Sequence, residues 1–173
     1  MKISKTHKLL IFQLFAQVLF VILGCSISIK SNVVSTPMLD MLTKLQCSSW
    51  IQNFLHCFLN NIVVMFIIFW ISYWTCGIVG TLWGLNTSFM IGTIAKVIVL
   101  FTNLPIKILS ITFLTMELIS SMSIVCSSTY FRLNKKNMEK QVREKGIMSV
   151  MSLVGLVLLV AGIIEATAIS KAI

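Results

Sequence analysis

Charged and polar residues retreat from five stretches of the chain, 9–29, 62–82, 85–104, 106–131 and 147–169. A nearly uncharged run of about 20 residues is what an α-helix needs to cross the hydrocarbon core of a bilayer. Four of the windows are strongly apolar. The window 85–104 is weaker, because it carries Asn86, Thr87, Ser88, Lys96 and Asn103. A central lysine costs about 2.5–3.5 kcal/mol, against roughly 0.3–0.6 gained from each strongly apolar residue, so insertion of this segment alone is marginal. Between the first two windows, Leu39, Leu42, Leu45, Trp50, Phe54, Leu55 and Phe58 recur at approximately helical spacing. That spacing predicts an amphipathic helix, lying on lipid or packed against the bundle. The fold class expected is an all-α integral membrane protein, one domain over residues 1–173: a bundle of about five transmembrane helices with an interfacial amphipathic helix after the first.

Composition agrees with this class. Of the 173 residues 57% are hydrophobic and only 11% charged, against about 45–50% and 25% for soluble domains. The net charge of +9 is a topology signal rather than a nucleic-acid footprint, since many basic residues flank the apolar runs. Lys2, Lys5 and Lys8 precede an apolar run too long for the h-region of a signal peptide and without a clear cleavage site, so it is expected to remain as a first span. The other basic cluster is "RLNKKNMEKQVREK", where Arg132, Lys135, Lys136, Lys140, Arg143 and Lys145 meet only Glu139 and Glu144. Both clusters are expected in the cytoplasm, which requires an even number of crossings between them and, with the last window, an odd total. Five spans satisfy this, with the C-terminus and residues 30–61 outside; a re-entrant hairpin of the second and third windows would preserve the same parity.

Three ionisable residues fall inside the spans: Lys96, Glu117 and Glu165. Each is costly in lipid unless it faces the protein interior, pairs or stays neutral. Glu117 is followed by Ser120 and Ser121 on one helix face, and Glu165 lies beyond Gly155 and Gly162, where close helix approach is possible. The two carboxyl groups are either interhelical hydrogen-bonding links, with Lys96 as a counter-ion, or part of a proton or cation path. Gly77, Gly80 and Gly84 thin the end of the second window, Gly84, Leu85 and Asn86 form a candidate turn, and Asn86 can cap the third span. Asn60 and Asn61 are placed where the second span enters the membrane, and Ser88 and Gly92 allow close packing of the third. Cys25, Cys47, Cys57, Cys76 and Cys126 lack metal-ligand spacing, and His56 beside Cys57 is an isolated pair. A Cys47–Cys57 disulfide stays open. No metalloprotease, serine-hydrolase, nucleotide-binding or paired-aspartate motif occurs, so neither catalysis nor a cofactor or metal is expected.

The stretch "LNNIVVMFIIFWISYWTCGIVGTLWGLNTSFMIG", followed by "LPIKILSITFLTMELISS" and "VLLVAGIIEATAI", resembles the stage II sporulation protein M-like family of bacterial membrane proteins. The features that carry the resemblance are Asn60 and Asn61, the glycine-rich span, Asn86 with Gly92, and the glutamates Glu117 and Glu165, over roughly residues 50–169. The approach to Glu117, "NLPIKILSITFLTMEL", lacks the glycine and histidine typical of the family. The resemblance implies a bacterial cell-membrane protein with one of two roles. One is a scaffold anchoring peptidoglycan hydrolases during sporulation engulfment. The other, closer to this compact chain, is a component of circular bacteriocin production, secretion or immunity, working with membrane lipid around it, other membrane subunits, a cytoplasmic ATPase and a cationic peptide. The basic stretch Arg132 to Lys145 is then the docking surface for the ATPase. An autonomous small transporter is the third class.

Overall fold

The computed structural model describes residues 5–26 and 49–171. They form five helices: α1 Lys5–Ser26, α2 Trp50–Trp74, α3 Ile78–Phe101, α4 Leu104–Leu133 and α5 Lys140–Lys171. All five are long and apolar enough to cross a membrane, and no strand occurs among the described residues. The protein is a multi-pass helical membrane bundle.

Cross-helix pairs fix the arrangement. Asn61 meets Glu117 and Ser72 meets Ser128, each pair 56 residues apart, so α2 and α4 run parallel. Gln13 meets Thr81 and Cys25 meets Gly92, 68 and 67 apart, so α1 and α3 are parallel as well. Helix α5 runs antiparallel to its neighbours α2 and α4, while α1 packs on α3 and α4 at the other side of the bundle. One end of the bundle therefore gathers the start of α1, the α2–α3 turn and the basic α4–α5 connection. We refer to it as the basic end.

The boundaries of the second and third spans differ from those expected. The chain reverses at Thr75, Cys76 and Gly77 rather than at Gly84, Leu85 and Asn86. Cys76 and Gly77 adopt φ of 53° and 89°, a left-handed conformation that glycine takes without penalty. Gly77 also sits against Thr129, where a side chain would collide. Because the turn comes early, α3 gains the apolar residues Ile78, Val79 and Leu82, which offset Lys96 and make the helix long and apolar enough to cross a membrane. Asn86 consequently lies inside α3, exposed, and caps nothing.

Helix α2 also starts earlier than expected. Ser49 is extended and forms a reciprocal capping box with Gln52, at 3.0 and 3.3 Å. That start excludes one amphipathic helix running through position 49. Trp50, Phe54 and Phe58 stack at 5.7 Å centroid spacing, and Phe54 and Phe58 lean on Gly162 of α5, so this part of the stripe is bundle packing. The remainder of the expected amphipathic helix, with Lys30, Lys44 and Cys47, lies outside the described residues. Asn103 caps α4 by accepting from the Ile106 amide at 3.3 Å, with Pro105 in its first turn.

The core between α2, α4 and α5 holds Met65, Phe69, Tyr73, Ile124, Phe131, Val154 and Leu158. The outer surface is apolar, with Phe12, Phe15, Leu82, Leu153 and Leu156 all more than 60% exposed, as a lipid-facing surface requires. On the α1–α3 side, small and polar residues replace a bulky core. Gly24 abuts the backbone of Phe89 and Thr93, and Gly92 reciprocally abuts the backbone of Val21 and Cys25. Replacing Gly92 by leucine is expected to separate α1 from α3 and cost about 1–3 kcal/mol or more, read as a lower melting temperature in detergent. Gly155→Ala, whose added carbon would meet only Ile62 at 3.8 Å, is expected to leave it unchanged.

Candidate functional site

Two polar groupings occupy the bundle interior. In the first, α2, α4 and α5 bring together residues far apart in sequence. The Asn61 amide donates a short hydrogen bond to Oε1 of Glu117. Cys57, one turn before Asn61, lies beside the Glu165 carboxyl group. Glu117 and Glu165 lie within electrostatic reach of one another, and His56, exposed beside Cys57, acts on Glu165. Of the three intramembrane ionisable residues the two glutamates thus lie near one another, beside Cys57 and Asn61 of α2. Lys96 sits half-buried on α3, five positions before its C-terminal end, on a helix that packs against α1, α2 and α4.

Cys57 is a free, buried thiol within α2. Asn60 is exposed while its neighbour Asn61 turns inward, and both lie in the third turn of α2 rather than at its start. The Asn doublet therefore divides: one member builds the site and the other faces outward. Gly92 belongs to the α1–α3 contact, away from the two glutamates.

In the second grouping, Gly84 and Ser88 of α3 are among the residues that the sequence singles out, whereas the two glutamines of α1 are not. Gln13 and Gln17 of α1 are 3% and 0% exposed. Gln13 donates from Nε2 to Thr81 at 2.6 Å and to Thr129 at 3.4 Å. The Gln17 amide lies over Gly84, its nitrogen 3.1 Å from where a side-chain carbon would stand. Ser88, one turn further along α3, is fully buried, as are Ser72 and Ser128, which bond each other at 2.7 Å. The signal was present as a spacing of four: Gln13 with Gln17 on α1, and Gly80, Gly84, Ser88 and Gly92 on α3. At that spacing residues share one helix face. It was masked by the apolar residues around it.

At the basic end, Arg132 does not extend into solvent. Its guanidinium lies over the rings of Tyr73 and Trp74, 5.6 and 5.7 Å from their centroids, in cation–π contacts that hold the end of α2 to α4. Arg143 is half-buried and donates to the Lys135 carbonyl at 3.4 Å. Lys135, Lys136, Lys140 and Lys145 are exposed, with Lys140 loosely paired to Glu144 at 3.9 Å.

Among the described residues no group of three or more His, Cys, Asp or Glu side chains can hold a metal ion. No family model, curated protein or solved structure matches this chain.

The Asn61–Glu117 bond joins two helices in a setting where water cannot replace a lost partner. Glu117→Leu strands the Asn61 amide and is expected to lower stability by about 1–3 kcal/mol. Glu117→Gln retains an acceptor oxygen and is expected to stay within about 1 kcal/mol of the wild type. Thermal unfolding in one detergent, followed by circular dichroism, compares the two.

Proposed function

We propose that this chain is a non-catalytic, multi-span subunit of the membrane machinery that secretes a circular bacteriocin or protects the producing cell from it. In this reading it works with a cytoplasmic ATPase and other membrane subunits, in a bacterial cell membrane with the basic end in the cytoplasm. One observation supports it above the others. Asn61, Glu117 and Glu165, residues on which the resemblance to the stage II sporulation protein M-like family rests, lie on three helices and converge on one interior cluster. Residues that converge in this way form a common functional or architectural unit.

The exposed lysines of the α4–α5 connection supply the docking surface in this reading. Arg132 is committed to Tyr73 and Trp74, which leaves Lys135, Lys136, Lys140 and Lys145 to meet an acidic partner. Tagged protein extracted from its native host is expected to retain an ATPase and a large membrane partner, identified by mass spectrometry. Charge reversal at Lys135, Lys136 and Lys145 is expected to release the ATPase while the membrane partner stays bound. Recovery of cell-wall hydrolases in place of the ATPase would replace this reading with that of a sporulation scaffold.

A further inference from the structure

Helix α2 turns only part of its circumference to the bundle. Cys57, Met65, Phe69 and Ser72 are buried, on the side that meets α3, α4 and α5. On the opposite face His56, Asn60, Val63, Ile67, Trp70 and Trp74 are all exposed, and even the most covered of the apolar four, Trp70, is 38% exposed. These six follow one another at alternating steps of four and three residues. That alternation keeps them in one stripe, with the period of 3.5 by which two helices interlock their side chains in a left-handed coiled coil. The stripe from position 56 to position 74 is about 27 Å long at 1.5 Å rise per residue. It covers nearly the whole hydrocarbon core of a bilayer, about 30 Å thick.

Lipid suits the apolar members of this stripe but not Asn60. Trp74, beneath Arg132 at the basic end, marks the boundary with water on that side, where tryptophan gathers in membrane proteins. Asn60 stands about 21 Å of helix from it, and so roughly 9 Å inside the far boundary of the hydrocarbon. Its neighbour Asn61 bonds Glu117 near the middle of α4, which places the doublet at the same depth. The Asn60 carboxamide is exposed and makes no hydrogen bond to the described residues. Acyl chains offer nothing to a donor or an acceptor, so an amide left facing them carries its full desolvation cost.

What covers this face has to bring both a donor and an acceptor to Asn60 and an apolar surface to the rest. A carboxamide holds one group of each kind, so Asn60 is complementary to Asn60 of a second copy across a twofold axis, where the same stripe supplies both halves. A single asparagine at a core position of the repeat, followed one heptad later by the β-branched Ile67, is the pattern that favours two strands in a fixed register. Beside the stripe, Ile62, Val63, Phe66 and Ile67 line an apolar groove. It forms a hole for a side chain of the facing helix.

We propose that two copies of this chain pair in the membrane through α2, parallel and related by a twofold axis along the membrane normal, with their Asn60 carboxamides hydrogen-bonded to each other inside the hydrocarbon. This pairing goes beyond the subunit role proposed above and does not depend on which partners that role involves.

The test uses the purified full-length chain in lipid vesicles. Energy transfer between donor-labelled and acceptor-labelled copies is expected to report dimers that separate as the vesicles are diluted with lipid. Asn60→Leu, an apolar replacement on an exposed face, is expected to weaken association about tenfold, as loss of an interhelical amide bond in lipid implies, with unchanged helical circular dichroism. Phe12→Leu, equally exposed on α1 at the other side of the bundle, is expected to leave association unchanged. A photoreactive benzoylphenylalanine in place of Val63 is expected to link α2 to α2 of the second copy, and needs no change at Asn60. Energy transfer at the level of random proximity, or equal association of Asn60→Leu and the wild type, would overturn the proposal. So would a link from position 63 to residues 27–48 of the same chain, or, in membranes of the native host, to a different protein with no link between copies.

Discussion

Lipid removes the force that assembles most proteins. Apolar side chains gain little by leaving hydrocarbon for a hydrocarbon-like core, so the helices of this bundle must be held by close backbone approach and by polar groups that find no other partner. The structure meets that constraint differently on its two sides. Between α1 and α3, the reciprocal contacts of Gly24 and Gly92 bring the two backbones together, and Gln13 and Gln17 insert amides where larger apolar residues would hold the helices apart. Between α2, α4 and α5, a bulkier core around Phe69, Ile124 and Leu158 is pinned by the Ser72–Ser128 and Asn61–Glu117 links.

Helix α4 belongs to both sides. It contacts each of the other four helices, and its buried residues are largely serines and threonines rather than leucines. Small hydroxylated residues suit a central helix, because they let four neighbours approach while returning hydrogen bonds to their own backbone, as Thr129 and Ser128 do to Val125. The same residues make α4 polar along much of its length, and it carries both Glu117, which meets α2, and Thr129, which meets α1.

The position of the α2–α3 turn shows how a local choice propagates. Two candidate reversals compete, one at Gly77 and one at Gly84 with Asn86, and both have the residues a turn needs. Reversal at Gly77 lengthens α3, places Gly84 opposite Gln17 and Gly92 opposite Val21, and seats Gly77 itself against Thr129. Reversal at Gly84 would have removed the first of these contacts and left α3 with little apolar length to offset Lys96. Tertiary packing therefore decides between turns that local chemistry leaves nearly equal.

The helical membrane class, the apolar segments of span length and the clustering of positive charge at one end follow from the sequence alone, because the length of an apolar run and the charges beside it are local properties that lipid reads directly. Glu117 and Glu165 stand out for the same reason, as does the basic stretch after α4. Which residues meet was not legible. Asn61 and Asn60 are chemically identical, and only the rotation of α2 against α4 turns one inward and the other out. Gln13 and Gln17 read as minor interruptions of an apolar run until α3 and α4 close around them. Arg132 looks like one more cation of the loop until the rings of Tyr73 and Trp74 arrive beneath it. Partnership depends on how helices distant in sequence are rotated and offset against one another, and only the folded bundle sets those relations.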